Sequence, residues 1–205
     1  MTDKIPTFAD MAEPYVDIHT HRPTGRHIEL RTAGIHPWMA DAQDAASLLP
    51  LPEGVQAIGE IGLDLLRGPS PERQTETFRQ QLAIAAREEL PVVLHCVRAF
   101  EPVMQLLAGY RLPAVIFHGF IGSPEQAARA ADRGYCLSFG ARSLRSTRSR
   151  RALQMLRGDL LFLETDDDPV PIEDIYDEAA SVRHTEVAAL RETILNNYNR
   201  IFESK

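Results

Sequence analysis

An α/β architecture built on a parallel sheet is predicted by three observations in this 205-residue sequence. Short apolar runs recur at 15–19, 28–35, 55–60, 91–95, 114–118, 135–139 and 160–164, each about the length of one strand. Stretches with helical spacing separate several of them, and alternating strand and helix implies parallel pairing. Nearly every strand candidate ends in His, Glu or Asp. In a barrel those C-terminal strand ends converge on one mouth, whereas an open doubly wound sheet concentrates function at a single switch point. No Gly-x-Gly-x-x-Gly or Walker-type loop follows the first run, so a TIM-type (β/α) barrel is favoured. An ordinary barrel takes about 250 residues, so this one is expected to be shortened or distorted by loss of about one βα unit near the N-terminus.

The elements follow in chain order. In the first run, alternation on a strand would put Asp17, His19 and His21 on one side and Ile18 on the other. Only fourteen residues lie between His21 and His36, which leaves either seven strands or an eighth position filled by an irregular segment over 22–32. Residues 71–89 carry Phe78, Leu82, Ala85 and Ala86 at helical spacing, and 99–108 and 124–133 are similar, each with a proline near its start. At the end, Val187, Leu190, Ile194 and Tyr198 make an apolar stripe in a helix over 185–202, expected to pack on the outside of the barrel. Pro-rich passages at 49–53 and 68–71 read as loops.

Length and composition bound the function. The chain suits one domain over 1–205, and 44% hydrophobic with 25% charged residues is ordinarily globular. A net charge of −7 argues against nonspecific coating of duplex DNA, though metal ions in a site would supply positive charge locally. Cys96 and Cys136 lie in apolar runs and read as buried free thiols of a reducing compartment. Residues 1–15 are acidic with two prolines and no apolar leader, and no window approaches the ~18 apolar residues of a membrane span. The expectation is a cytoplasmic protein with no membrane association and no obligate protein partner.

Collecting polar residues at the strand ends yields His19, His21, Glu60, His95, His118 and Asp166. Each alone has a structural reading: Glu60 as a helix cap, His95 and His118 as core histidines bonded to backbone, Asp166 as the start of an acidic turn. Together, four His and two carboxylates are the complement of a two-metal centre with one shared carboxylate.

The chain resembles the TatD family of metal-dependent hydrolases. The resemblance lies in Asp17-Ile18-His19-Thr20-His21, Gly34-Ile35-His36-Pro37, Gly59-Glu60-Ile61-Gly62-Leu63-Asp64, Leu90-Pro91-Val92-Val93-Leu94-His95, His118-Gly119-Phe120-Ile121-Gly122 and Glu164-Thr165-Asp166, with a similar helix from Gln74 to Ala86. It implies a TIM-type barrel holding two divalent ions (Zn, Mg or Mn): His19, His21 and Asp166 on one, His95 and His118 on the other, Glu60 bridging. The implied activity is phosphodiester hydrolysis on single-stranded DNA or a small phosphoester, with Asp166 taking the proton of the attacking water and Glu60 essential to the centre. His36 is expected to contact substrate or support the ligands. Asp64 is read as orienting a neighbouring His or as a plain loop acid.

Three departures bear on the substrate. Beside the short gap after His21, relatives commonly carry His-x-Arg-Asp-Ala where this chain has His95-Cys96-Val97-Arg98-Ala99. A persisting strand would turn Arg98 to the opposite side. Asp166-Asp167-Asp168-Pro169 replaces Asp-Ser-Pro, and the added acids would repel a polyanion. Against this, Arg142 and Arg145 open a basic stretch on the mouth side and are expected to bind substrate phosphate, unless they are only the solvated side of a helix. The competing activity is amidohydrolase-type cleavage of esters, lactones or amides, aminoacyl-tRNA deacylation included, on the same metals. A non-enzymatic scaffold is disfavoured by the complete ligand set.

Overall fold

Short, mostly apolar runs that are buried have one cheap way to satisfy their backbone groups, which is to pair with each other. In the computed structural model, which describes residues 14–203, they form β1 (Val16–Asp17), β2 (Ile28–Glu29), β3 (Thr32–Ala33), β4 (Ala57–Asp64), β5 (Val92–Val97), β6 (Val115–Phe117), β7 (Cys136–Phe139) and β8 (Leu161–Leu163). The expected acidic, leaderless stretch lies almost wholly outside the described residues. β3 to β8 make one six-stranded parallel sheet whose spatial order is the chain order, while β1 and β2 form a separate parallel pair. Consecutive order without reversal is the winding of a barrel.

Closure is thin. β8 meets β1 through Ile18 N–H to Leu163 C=O (3.1 Å) and Asp166 N–H to His19 C=O (2.9 Å), with an isolated bridge between Thr20 and Asp166. On the other flank the extended segment 28–33 pairs with β1 at its start and with β4 at its end, with Leu30 and Arg31 between. The ring therefore has seven positions, and no helix lies between β1 and β2. That is a TIM-like barrel distorted near its N-terminus, and the segment 22–32 contributes a strand position rather than only an irregular filler.

Helices cover the outside: α1 (Pro71–Arg87), α2 (Phe100–Leu107), α3 (Pro124–Ala131), α4 (Ala141–Leu144), α5 (Thr147–Met155), α6 (Ile172–Arg183) and α7 (Val187–Tyr198). α1 begins where the Ser70 side chain accepts from Arg73 N–H and Pro71 needs no partner; Glu72 and Arg87 complement its dipole. α3 carries a complete capping box between Ser123 and Gln126. Phe78 and Leu82 of α1 are fully buried, each worth about 1.5–3 kcal/mol. The Tyr176 hydroxyl of α6 donates to Val16 C=O (3.0 Å) and accepts from Val16 N–H (3.3 Å), pinning the short β1. α7 buries Leu190, Ile194 and Tyr198, and Asn197 donates to the Gly158 carbonyl before β8 and to the Leu161 carbonyl at its start. Cys96 and Cys136 are free thiols. Among the described residues no helix is long and apolar enough to cross a membrane.

Two local readings are corrected. β4 does not end at Glu60 but runs on to Asp64, because a register irregularity between Ile58 and Ile61 lets the chain pass the charged residue and bury Ile61 and Leu63 again. β1 stops at Asp17, so strand alternation does not govern His19 and His21.

Candidate metal centre

Backbone positions alone do not aim side chains; two buried glutamines of α1 do part of that work. Gln81 exchanges both hydrogen bonds of a strand partner with Ile35, accepting from its N–H (2.6 Å) and donating to its carbonyl (3.0 Å), which fixes the chain entering His36. Gln74 accepts from Asp64 N–H (2.8 Å) and donates to the carbonyls of Asp64, Arg67 and Pro69, clamping the loop after β4. Gln81→Leu should strand both Ile35 groups and cost about 2–4 kcal/mol, two unmet buried partners. Urea denaturation would show it, with exposed Gln80→Leu as a control; equal midpoints for the two variants would refute the role.

Around Glu60 the imidazoles converge. Its Oε1 lies 2.5 Å from His95 Nδ1, 2.5 Å from His118 Nε2 and 3.4 Å from His36 Nε2, and its Oε2 lies 3.4 Å from His19 Nε2 and 3.6 Å from His21 Nε2. Asp166 Oδ1 closes the far side at 3.8 Å from His19 Nε2 and 3.5 Å from His21 Nε2. All six residues collected from the strand ends thus meet in one place, with His21 at the exposed rim and His19 buried. His36 joins them more closely than a substrate-contact reading requires, its Nε2 3.3 Å from His95 Nδ1.

A further ring of groups holds these side chains. Asp64 Oδ2 meets His95 Nε2 at 3.1 Å and accepts from Trp38 Nε1 at 2.8 Å, while its Oδ1 accepts from Leu66 and Arg67 N–H. Asp64 is therefore tied to a histidine and is no free loop acid. Glu164, fully buried, places Oε1 3.4 Å from His118 Nδ1. Its role was visible in sequence only as part of the Glu-Thr-Asp motif. Asp17 does not join the centre: Thr165 donates to it from N–H (3.0 Å) and Oγ1 (2.6 Å), and burial pushes its carboxyl up to about 7 against those bonds.

The electrostatics are those of a carboxylate clasped by cations. Burial opposes ionisation of Glu60, but the imidazoles, His118 foremost, hold its carboxyl well below the usual range. Burial likewise acts to lower His118, and the Glu164 and Glu60 carboxylates more than reverse it. Burial raises Asp166 above an ordinary aspartate.

A divalent cation fits this donor set. His19 Nε2 and Glu164 Oε2 are buried without a hydrogen-bond partner, an unusual cost for polar atoms unless a ligand meets them. Four overlapping groups have donor atoms within 4.8 Å of one another: His19, His21 and Asp166; His19, Glu60 and His118; His36, Glu60 and His95; His118, Glu164 and Asp166. Mixed imidazole and carboxylate donors suit zinc, manganese or magnesium in different degree.

Beside the centre, a cleft of about 120 Å³ is bordered by His95, His118, Asp166, Ile121 and Arg142. The two charge runs that opposed each other in sequence are partners here: Arg142 pairs with Asp167 at 2.8 Å and Arg145 with Asp168 at 3.4 Å. The added acids and the arginines largely cancel. Arg98 is not turned to the far strand face, because β5 ends at Val97 and Arg98 takes a left-handed backbone (φ +54°).

Comparison with known proteins gives a consistent picture. The family model described as TatD related DNase matches residues 26–203. A 3'-5' ssDNA/RNA exonuclease TatD from Citrobacter koseri is 33% identical over 164 residues, which cover 75% of this chain and 63% of that protein. The Escherichia coli K12 protein YjjV, described as an uncharacterized metal-dependent hydrolase, is 36% identical over 150 residues, covering 68% of this chain and 58% of that one. The crystal structure of YjjV, a TatD homologue, superposes with a TM-score of 0.76 at 29% identity, covering 86% of this chain and 78% of that chain. The chain thus spans less than two thirds of the length of these curated relatives.

Proposed function

The chain belongs to the TatD-related DNase family, and from that premise we propose that it is a metal-dependent phosphodiesterase acting on single-stranded DNA or RNA ends or on small phosphoesters, as one barrel domain in the cytoplasm. The observation that carries the reading is the Glu60 carboxylate with five imidazole nitrogens within 3.6 Å.

Two divalent ions are the proposed complement, with His19, His21 and Asp166 on one, His95 and His118 on the other, and Glu60 between them. Such ions, when bound, make water acidic enough to supply a nucleophile near neutral pH and polarise the phosphoryl oxygen. Asp166, whose Oδ1 closes the far side of the centre, would take the water's proton. Asp64 and Glu164 hold His95 and His118 at the nitrogens turned away from Glu60, so that each ring keeps its orientation. His36 contacts substrate or supplies an additional donor, and Arg142 and Arg145 reach a phosphate by exchanging Asp167 and Asp168 for it.

Side-by-side assays of a single-stranded oligonucleotide and a panel of carboxylic esters and lactones, with elemental analysis of the purified protein, test the reading. Cleavage of the oligonucleotide with bound divalent metal is expected. Ester hydrolysis without DNA or RNA cleavage would replace the reading by amidohydrolase-type chemistry on the same centre.

A further inference from the structure

The cleft over the metal centre does not end at its rim. His118, Gly119 and Ile121 border it and also border a second, larger groove of about 620 Å³, walled by the connections after β5 and β6 and by α2, α3 and α5. The groove is thus continuous with the centre and leads away from it along the mouth.

Two cations line this groove. Arg98 comes from the turn after β5, where its left-handed backbone carries it out of the strand, and Arg148 from the first turn of α5. Both side chains are exposed, and among the described residues neither makes an ion pair. Arg148 feels Glu125 electrostatically without forming one. Glu101, the acid in the groove wall, is already occupied by both Nη atoms of Arg129 at 2.5 and 2.8 Å. Positive charge in the groove is therefore unspent, in contrast to Arg142 and Arg145, which Asp167 and Asp168 neutralise. Exposed Ile121 and half-buried Val97 give the passage between the centre and the arginines an apolar side.

We propose that this groove is the track for the single strand adjoining the scissile bond, with Arg98 and Arg148 each taking a flanking phosphate. The assignment rests on the phosphodiesterase reading and adds to it where the strand lies and which residues set the length of substrate recognised. Backbone phosphates are what unpaired arginines along an open groove recognise, and such contacts are indifferent to sequence. An acidic chain of net charge −7 gains a local attractive path in this way.

The test is equilibrium fluorescence anisotropy on the full chain with a labelled single-stranded oligonucleotide whose phosphorothioate linkages resist cleavage, titrated over a range of NaCl. For R98A/R148A the affinity should fall for every sequence tried, and the slope of log affinity against log salt should become shallower by roughly 1.4, about 0.7 for each lost contact on a single strand. R98K/R148K keeps the charges and should keep the slope, and circular dichroism should show the variants folded. Wild-type affinity and slope in R98A/R148A, or an equal loss in the lysine variant, would overturn the proposal. Hydrolysis of an unmodified oligonucleotide by the wild-type protein separates the two ideas. Arginine-dependent binding without hydrolysis supports the groove and removes the phosphodiesterase reading; hydrolysis with arginine-independent binding does the reverse.

Discussion

Replacing Glu60 by alanine is expected to lower hydrolysis of a single-stranded oligonucleotide by roughly three decades, about 4 kcal/mol of lost transition-state stabilisation. Glu60 is the carboxylate that touches His19, His21, His36, His95 and His118 together. Without it the imidazoles lose their shared counter-charge, and the two halves of the donor set lose their link. Glu60→Gln keeps the size of the side chain and an oxygen but not the charge, so it should share most of the loss if charge, rather than bulk, organises the centre. Elemental analysis should show divalent metal depleted in both variants while their thermal melts remain cooperative. Full metal content with activity within tenfold of the wild-type protein would refute the central role of Glu60.

The second large effect concerns folding. Gly62→Ala should destabilise the protein by at least ~3 kcal/mol, a fall in melting temperature of roughly 6–12 °C for a chain of this size. Gly62 sits opposite His95 in the β4–β5 pairing with φ +139°, and a Cβ there would fall 2.0 Å from the His95 carbonyl oxygen. Backbone strain and steric overlap act at the same point, and neither neighbour is the movable end of a side chain. The shift would also displace His95 from Glu60, so the variant should bind metal less well even where it folds. Gly109→Ala is the control, since its Cβ meets only the Leu106 carbonyl at an ordinary 3.5 Å; its midpoint should move by no more than about 0.5 kcal/mol. Equal stability of the two variants would show that the β4–β5 approach is looser than the geometry implies.

Much of the scaffold is legible in the sequence because its signals are local. Val92-Val93-Leu94 behind Pro91 can hardly be anything but a strand, and Ser70-Pro71-Glu72 announces the start of α1 through its own capping chemistry. Where a local rule met a non-local one, reading failed. Glu60 looked like a strand end because a charge in an apolar run usually marks the surface, whereas the imidazoles from other strands make it a buried position in the middle of β4. Helix α6 exceeds the sequence reading although Ile172, Ile175, Tyr176 and Ala179 stand at helical spacing; it lacks a capping side chain and follows the acidic Pro-rich turn.

By itself the sequence determined the parallel α/β order, the shortening after His21 and the identity of six residues, Glu60 among them, that meet in one place, since periodicity and residue type are properties of short windows. Only the tertiary structure decided how those residues are held and what surrounds them. Asp64 and Glu164 acquire partners on β5 and after β6, Asp17 leaves the centre for Thr165, and Asp167 and Asp168 neutralise Arg142 and Arg145. Arg98 turns into a groove that Arg148 reaches from a helix fifty residues on in the sequence. Pairing of charges depends on distances between strands remote in the chain, and those distances are set by which strands meet, a property that no single window of sequence contains.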